Sequence, residues 1–167
     1  DNIRSIIPQV CLSTDLIAGF CGETEEQHAD TLSLLRTVRY DMAYMYAYSM
    51  REKTMAHRRY EDDVPEAVKQ RRLREIIDTF HEVLEKRNLE FIGTVQVGLV
   101  QGLSKKSDKE LMARSDGNKS IIFDPSPLLA AGASLEELMK SALVEFSIEA
   151  AHGLALRGRP LRLLKNL

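Results

Sequence analysis

The stretch Cys11 to Gln27, "CLSTDLIAGFCGETEEQ", constrains the fold more than any other. An apolar, strand-like segment runs into a glycine turn and then into the start of a helix. Residues 10–20 divide into two faces. Val10, Leu12, Thr14, Leu16 and Ala18 form one; Cys11, Ser13, Asp15, Ile17 and Gly19 form the other. Both carry apolar residues, as a parallel strand covered by helices on one side requires. Thr24 followed by Gln27 predicts a capping box that opens an amphipathic helix over 25–38. The aromatic-rich "MAYMYAYS", 42–49, predicts the next strand. Residues 2–7 predict the end of a helix stopped by Pro8. Helix, strand, helix, strand is a piece of a βα repeat with too few strands to close a barrel.

Residues 50–63 are polar and charged and predict a loop. Pro65, after the acidic "EDD", marks the start of a long helix that reaches about Arg87. Val68, Leu73, Ile76, Ile77, Phe80 and Leu84 give it an apolar stripe at helical spacing. After Asn88 the pattern changes to β-branched residues spaced by glycines, which predicts a small β-rich module. Within it "SLEELMKSA" has a helix cap at Ser134, and strands are expected at 142–150 and 154–162.

The formal net charge is −2, so no global basic field points to nucleic acid, and any such binding must come from a local patch. Cys11 and Cys21 form neither a disulfide framework nor a zinc pattern, and a reducing compartment is expected. No apolar run approaches the roughly 18 residues of a membrane span, and no targeting peptide is visible. Asp1 enters directly into a helical pattern, which suggests a fragment of a longer chain. His28, His57, His81 and His152 have no second ligand at metal-binding spacing and read as surface or packing residues. Ser13 has no nearby His or elbow motif. Neither catalytic residues nor a metal site are therefore expected within the chain.

Asp15 is the chemically informative residue. On a face with Ile17 and Gly19 it could accept hydrogen bonds from the hydroxyls or amine of a ligand while Ile17 packs on a flat ring. Equally, it could be a buried acid bonded to backbone or to an arginine. Gly19 and Gly22 would let the backbone approach a ligand closely. Glu23, Glu25 and Glu26 fill the start of the helix with negative charge, which argues against a phosphate there.

With "AYSMREKTMA" and "DDVPEAVKQRRL", the stretch "STDLIAGFCGETEEQHADTLSLLR" resembles the C-terminal half of the radical SAM tRNA methylthiotransferases, the MiaB family. Cys21 stands where that family has proline. Together with "AYSMR" this is most similar to the eukaryotic, Cdk5 regulatory-subunit-associated branch. The resemblance is dense over 1–123 and thin after Asp124. It implies an α/β plus β fold: residues 1–63 as the C-terminal part of a radical SAM partial (β/α) barrel, 64–88 as a connecting helix, and 89–167 as a TRAM-like RNA-binding β-barrel, divergent after 124. The implied chemistry adds a methylthio group to C2 of an N6-modified adenosine in the tRNA anticodon stem-loop. It uses S-adenosyl-L-methionine and two 4Fe-4S clusters. Each cluster needs cysteine thiolates, and neither Cys11 nor Cys21 matches a ligand, so this chain should be inactive alone. The resemblance implies a mitochondrial protein, or a cytoplasmic one for the prokaryotic-type branch.

Carried over residue by residue, Asp15 would contact the ribose of S-adenosylmethionine and Ile17 its adenine. Gly19 would keep the loop close, and Tyr46, Ala47 and Tyr48 would complete the adenine surface. Arg51 and Lys53 would lie near the anionic tRNA. In the β-rich module Lys105, Lys106, Arg114 and Lys119, with Arg157 and Arg159, are candidate phosphate contacts, and Phe123 and Phe146 the aromatics available for stacking. The alternative is a non-catalytic RNA- or protein-binding remnant of the same family.

Overall fold

The computed structural model describes residues 2–166. The chain divides into two compact units, residues 1–84 and 85–167.

The first unit holds α1 (Asn2–Ile6), β1 (Ser13–Ala18), α2 (Glu25–Val38), β2 (Met42–Ala47), α3 (Met55–Arg59) and most of α4 (Glu66–Leu89). Strands β1 and β2 pair in parallel, Asp15 opposite Tyr44, Ile17 opposite Tyr46 and Ala18 opposite Ala47. One face of this two-stranded sheet is covered. Ala18 packs with Leu35 of α2 and with Ile76, Phe80 and Leu84 of α4, and Leu16, Ala43 and Met45 pack against them. Helix α4 therefore supplies apolar cover to the sheet through the stripe at 76, 80 and 84, where the sequence suggested a connection. β1 is shorter than its expected 10–20. The Leu12 amide donates to the Asp41 carboxylate (3.0 Å) and its carbonyl accepts from the Asp41 amide (2.8 Å), so the chain ahead of Ser13 is tied to the entry of β2. Helix α2 begins at the expected capping box: Thr24 Oγ1 accepts from the Gln27 amide, and the Gln27 side chain accepts from the Thr24 amide. The predicted loop at 50–63 contains α3. Its N-cap Thr54 accepts from the His57 amide at 3.2 Å.

The second unit is a closed five-stranded barrel. Its strands are β3 (Val95–Ser104), β4 (Ser107–Ser115), β5 (Ser120–Phe123), β6 (Ala142–His152) and β7 (Ala155–Asn166), in the spatial order β3-β4-β5-β7-β6. All neighbours are antiparallel except β5 and β7. Both expected C-terminal strands are present. The interior is filled by Val100, Leu111, Ala113, Ile121, Phe123, Val144, Phe146, Ile148 and Leu156. Between β5 and β6 two short helices, α5 (Ser126–Ala130) and α6 (Leu135–Met139), send Leu128 and Leu138 into the same core. Ser134 and Glu137 form the capping box of α6. Gly158 is required by packing, because a Cβ there would meet Ile121 Cγ2 at 2.8 Å and Phe146 Cβ at 3.1 Å.

Candidate functional site

The uncovered face of the β1–β2 sheet carries a set of side chains the core cannot use. Asp15 is exposed, Ile17 is 53% exposed, Tyr44 50% and Tyr46 55%. Parallel register places Ile17 beside Tyr46 and Asp15 beside Tyr44, and alternation sends all four to one side. The buried-acid alternative for Asp15 is excluded by its exposure. No hydrogen bond or ion pair to its carboxylate forms among the described residues. The arrangement is a carboxylate acceptor next to flat apolar surface. Tyr44, which sequence reasoning left as plain strand, belongs to this face by the same two-residue period as Tyr46.

Two expected members of the wall lie elsewhere. Ala47 pairs with the buried Ala18 and shares the covered side of the sheet. Tyr48 lies past the end of β2. Its ring meets Phe20 edge-on at 4.9 Å, its hydroxyl donates to Met50 Sδ at 3.2 Å, and the Lys69 ammonium stands 5.4 Å from its centroid. Burial, with Cys21 and Asp62 nearby, raises the Tyr48 hydroxyl pKa above its ordinary value.

Gly19 serves a different purpose from the one sequence suggested, while a Cβ at Gly22 would meet nothing within 4 Å. Gly19 has φ +75°, and a Cβ on it would sit 2.4 Å from Lys69 Cγ and 3.3 Å from Lys69 Cα. What approaches Gly19 is helix α4. The "GET" and "DDVPEAVKQRR" motifs lock together at this point. The Gly19 amide donates to Glu23 Oε2 (2.8 Å) and the Gly22 amide to Asp63 Oδ1 (2.7 Å). Lys69, buried, donates to Asp62 at 2.5 Å. Arg72, also buried, forks to the Glu23 carboxylate (2.7 Å), the Glu23 carbonyl (2.9 Å) and Glu25 (2.7 Å). Hydrogen bonds from Arg71 and then Arg72 hold the Glu25 pKa down at about 2. The glutamates that open α2 are thus turned onto α4, a role that spacing alone could not reveal.

His28 is one of the packing residues, and its partner is the part spacing could not show. His28 is 3% exposed, and its Nε2 lies 2.7 Å from Glu75 Oε2 on α4. The hydrogen bond to His28, followed by that from Arg71, lowers the Glu75 pKa. Its partner is 47 positions away in sequence, so no local spacing signals the pair.

On the barrel, Lys105 and Lys106 form the two-residue turn between β3 and β4, with Ser104 opposite Ser107, and both are exposed. Lys109 is exposed next to them. The remaining expected cations are otherwise occupied. Lys119 is 4% exposed and donates to Asn88 Oδ1 at 3.0 Å beneath the Phe91 ring, so it is a buried packing residue with no access to a phosphate. Arg114 donates to Gln101 and to the Asn118 carbonyl. Arg157 pairs with Glu110, Arg159 with Glu149 at 2.8 Å, and Arg162 with Glu145 at 2.9 Å. Phe123 and Phe146, considered as stacking aromatics, are 1% and 0% exposed and pack on each other at 4.8 Å inside the barrel.

Neither Cys11 nor Cys21 is in a disulfide. Among the described residues no group of three or more His, Cys, Asp or Glu side chains could hold a metal ion. Nothing among the described residues fits an iron–sulfur cluster. No helix among the described residues is long and apolar enough to cross a membrane.

Fold and site together define a parallel βα unit with a solvent-facing sheet face that carries Asp15, Ile17, Tyr44 and Tyr46, followed by a small closed β-barrel with a lysine-tipped hairpin. No family model matches the chain. Individual relatives do. It is 50% identical over 160 residues to the "CDK5RAP1-like protein" of Oryza sativa subsp. japonica, covering 94% of this chain and 27% of that protein. It is 56% identical over 122 residues to the "Mitochondrial tRNA methylthiotransferase CDK5RAP1" of Homo sapiens, covering 73% and 20%. It is 45% identical over 159 residues to the "tRNA-2-methylthio-N(6)-dimethylallyladenosine synthase" of Pelodictyon phaeoclathratiforme, covering 95% and 34%. The chain belongs to the family of these proteins, the tRNA methylthiotransferases of MiaB and CDK5RAP1 type. It spans between a fifth and a third of the length of the curated relatives it matches. The rice alignment covers 94% of the chain, so the similarity runs through residues 124–141, where the sequence had looked most divergent.

Proposed function

We propose that this chain is the part of a tRNA methylthiotransferase that forms one wall of the S-adenosylmethionine site and one RNA-contacting surface. On this reading the first unit is the C-terminal part of a radical SAM partial barrel and the barrel is a TRAM module. The whole enzyme would methylthiolate C2 of an N6-modified adenosine in the tRNA anticodon stem-loop. The observation that carries the reading is the unpartnered Asp15 carboxylate beside Ile17 and Tyr46 on the uncovered sheet face. When bound, S-adenosylmethionine supplies the radical chemistry. Asp15 would accept hydrogen bonds from the ribose, and Ile17 and Tyr46, neighbours on one face, would pack against the adenine and exclude water from it. Neither Cys11 nor Cys21 would hold a cluster on this reading. The mitochondrial name of the human relative supports mitochondrial residence. The bacterial relatives would favour the cytoplasm for a prokaryotic-type protein.

Asp15→Ala in the full-length protein is expected to weaken S-adenosylhomocysteine binding roughly tenfold to a hundredfold, the loss of charge-assisted hydrogen bonds. Isothermal titration reads this directly, with iron content as a control that should not move. Unchanged affinity would remove Asp15 from the site. Charge reversal of Lys105 and Lys106 is expected to weaken binding of an anticodon stem-loop RNA and to flatten its salt dependence by roughly 0.7 per lost phosphate contact. An unchanged slope means the hairpin does not meet RNA.

A further inference from the structure

The segment Arg51–Tyr60 and Phe20, at the carboxyl end of the β1–β2 sheet, form a surface that the ligand wall does not use. Arg51, Lys53, Arg58 and Arg59 are all exposed, and among the described residues none of them has an ion-pair partner. Four cations stand here against Glu52 and, just past Tyr60, the exposed Glu61, in a protein whose net charge is −2. Elsewhere in this unit Arg71, Arg72 and Lys69 are neutralised by Glu25, Glu23 and Asp62. The cations of 51–60 are therefore left for something outside the unit.

Exposed aromatic rings accompany them. Tyr60 is 54% and Phe20 40% exposed, with ring centroids 6.0 Å apart at 72°. Phe20 is braced from behind by Tyr48 at 4.9 Å. The segment is held in place at both ends. Thr54 caps α3 and donates to the Arg51 carbonyl at 2.7 Å. Just past Tyr60, Asp62 is bound by Lys69 and Asp63 by the Gly22 amide. A fixed surface loses little conformational freedom when it binds.

We infer that Arg51–Tyr60 with Phe20 is a contact surface for an unpaired stretch of RNA, in which Arg58 and Arg59 meet phosphates and a base stacks on Tyr60 and Phe20. Unpaired cations beside exposed rings are the two halves of single-strand recognition: backbone charge and a π-surface for bases. The inference rests on the proposal that RNA is the substrate, and it adds base stacking and two arginines to that proposal.

The test measures binding of an anticodon stem-loop RNA to the full-length protein across a salt series. R58A/R59A is expected to lower affinity and to reduce the salt slope by about 1.4, at about 0.7 per single-strand phosphate contact. Y60L is expected to lower affinity about tenfold with the slope unchanged, and Tyr60→Phe to keep it, because stacking needs only the ring. All of these side chains are exposed, and unchanged melting confirms that the variants fold. If K105E/K106E weakens binding but R58A/R59A and Y60L do not, the surface at 51–60 is not an RNA contact, while the RNA proposal stands. If neither the hairpin nor the 51–60 variants change RNA affinity, the RNA proposal itself fails, and this inference with it.

Discussion

Replacing Arg72 by alanine is expected to destabilise the first unit by about 3–5 kcal/mol, the cost of removing one partner from a buried ion pair. Its side chain is 4% exposed and the Glu23 side chain it meets is 12% exposed, so the glutamate left behind cannot recover full hydration. The same Glu23 oxygen holds the Gly19 amide, so the loop after β1 should loosen as well. Arg72→Lys should not restore the loss, because a single ammonium cannot fork to Glu23 and Glu25 together. Urea unfolding measures the effect, and a loss below about 1 kcal/mol would contradict the burial argument. The acid side of the pH profile carries a second signature. Glu25 and Glu75 have pKa values lowered in the folded state. Their contribution is present above the ordinary carboxylate value of 4.5 and is lost as pH falls, for Glu25 down to about 2. In the Arg72→Ala protein this acid-dependent loss should be smaller, since Glu25 keeps only Arg71.

Phe146→Ala is expected to cost the barrel a similar 3–5 kcal/mol. The ring is fully buried and contacts Phe123. Added Cβ atoms at Gly98 and Gly158 would lie 3.2 Å and 3.3 Å from its ring atoms, so the two backbones close on it. Those backbones belong to paired strands and cannot collapse into the void. Phe146→Leu, which leaves a smaller cavity, should lose less. The shift in urea midpoint, with chemical-shift changes at Ile121 and Leu156, tests this. A small loss without such changes would mean that the ring is not the packed centre.

What could be seen in the sequence was whatever depends on near neighbours. The Thr24–Gln27 capping box and the helix cap at Ser134 depend on residues within one turn and were readable. The stripe on α4 and the apolar faces of β1 were readable too, because helix and strand periods are local. Asp15 and Ile17 were assigned to one face by a period of two, and the fold keeps them there. The parts that could not be read depend on distant partners. Lys119 reads as a surface cation in sequence, whereas Asn88, 31 positions earlier, receives its ammonium. His28 and Glu75, or Arg72 and Glu23, meet only because α4 folds back over β1. Gly19 suggested room for a ligand, whereas the space is taken by Lys69. Charge counts treat Arg157, Arg159 and Arg162 as basic surface, while cross-strand acids neutralise each of them.

The strand order of the barrel has a bearing on synthesis. β7 sits between β5 and β6 and is the last of the five strands to leave the ribosome. Until it arrives, β5 and β6 each present a row of unsatisfied amides and carbonyls, and the apolar lining behind them is uncovered. Chains emerge at roughly 5–20 residues per second, so the twelve residues of β7 leave a window on the order of a second in which nascent barrels can pair with one another. A nonsense codon within β7 should therefore favour aggregation of the product, with the first unit's residues untouched.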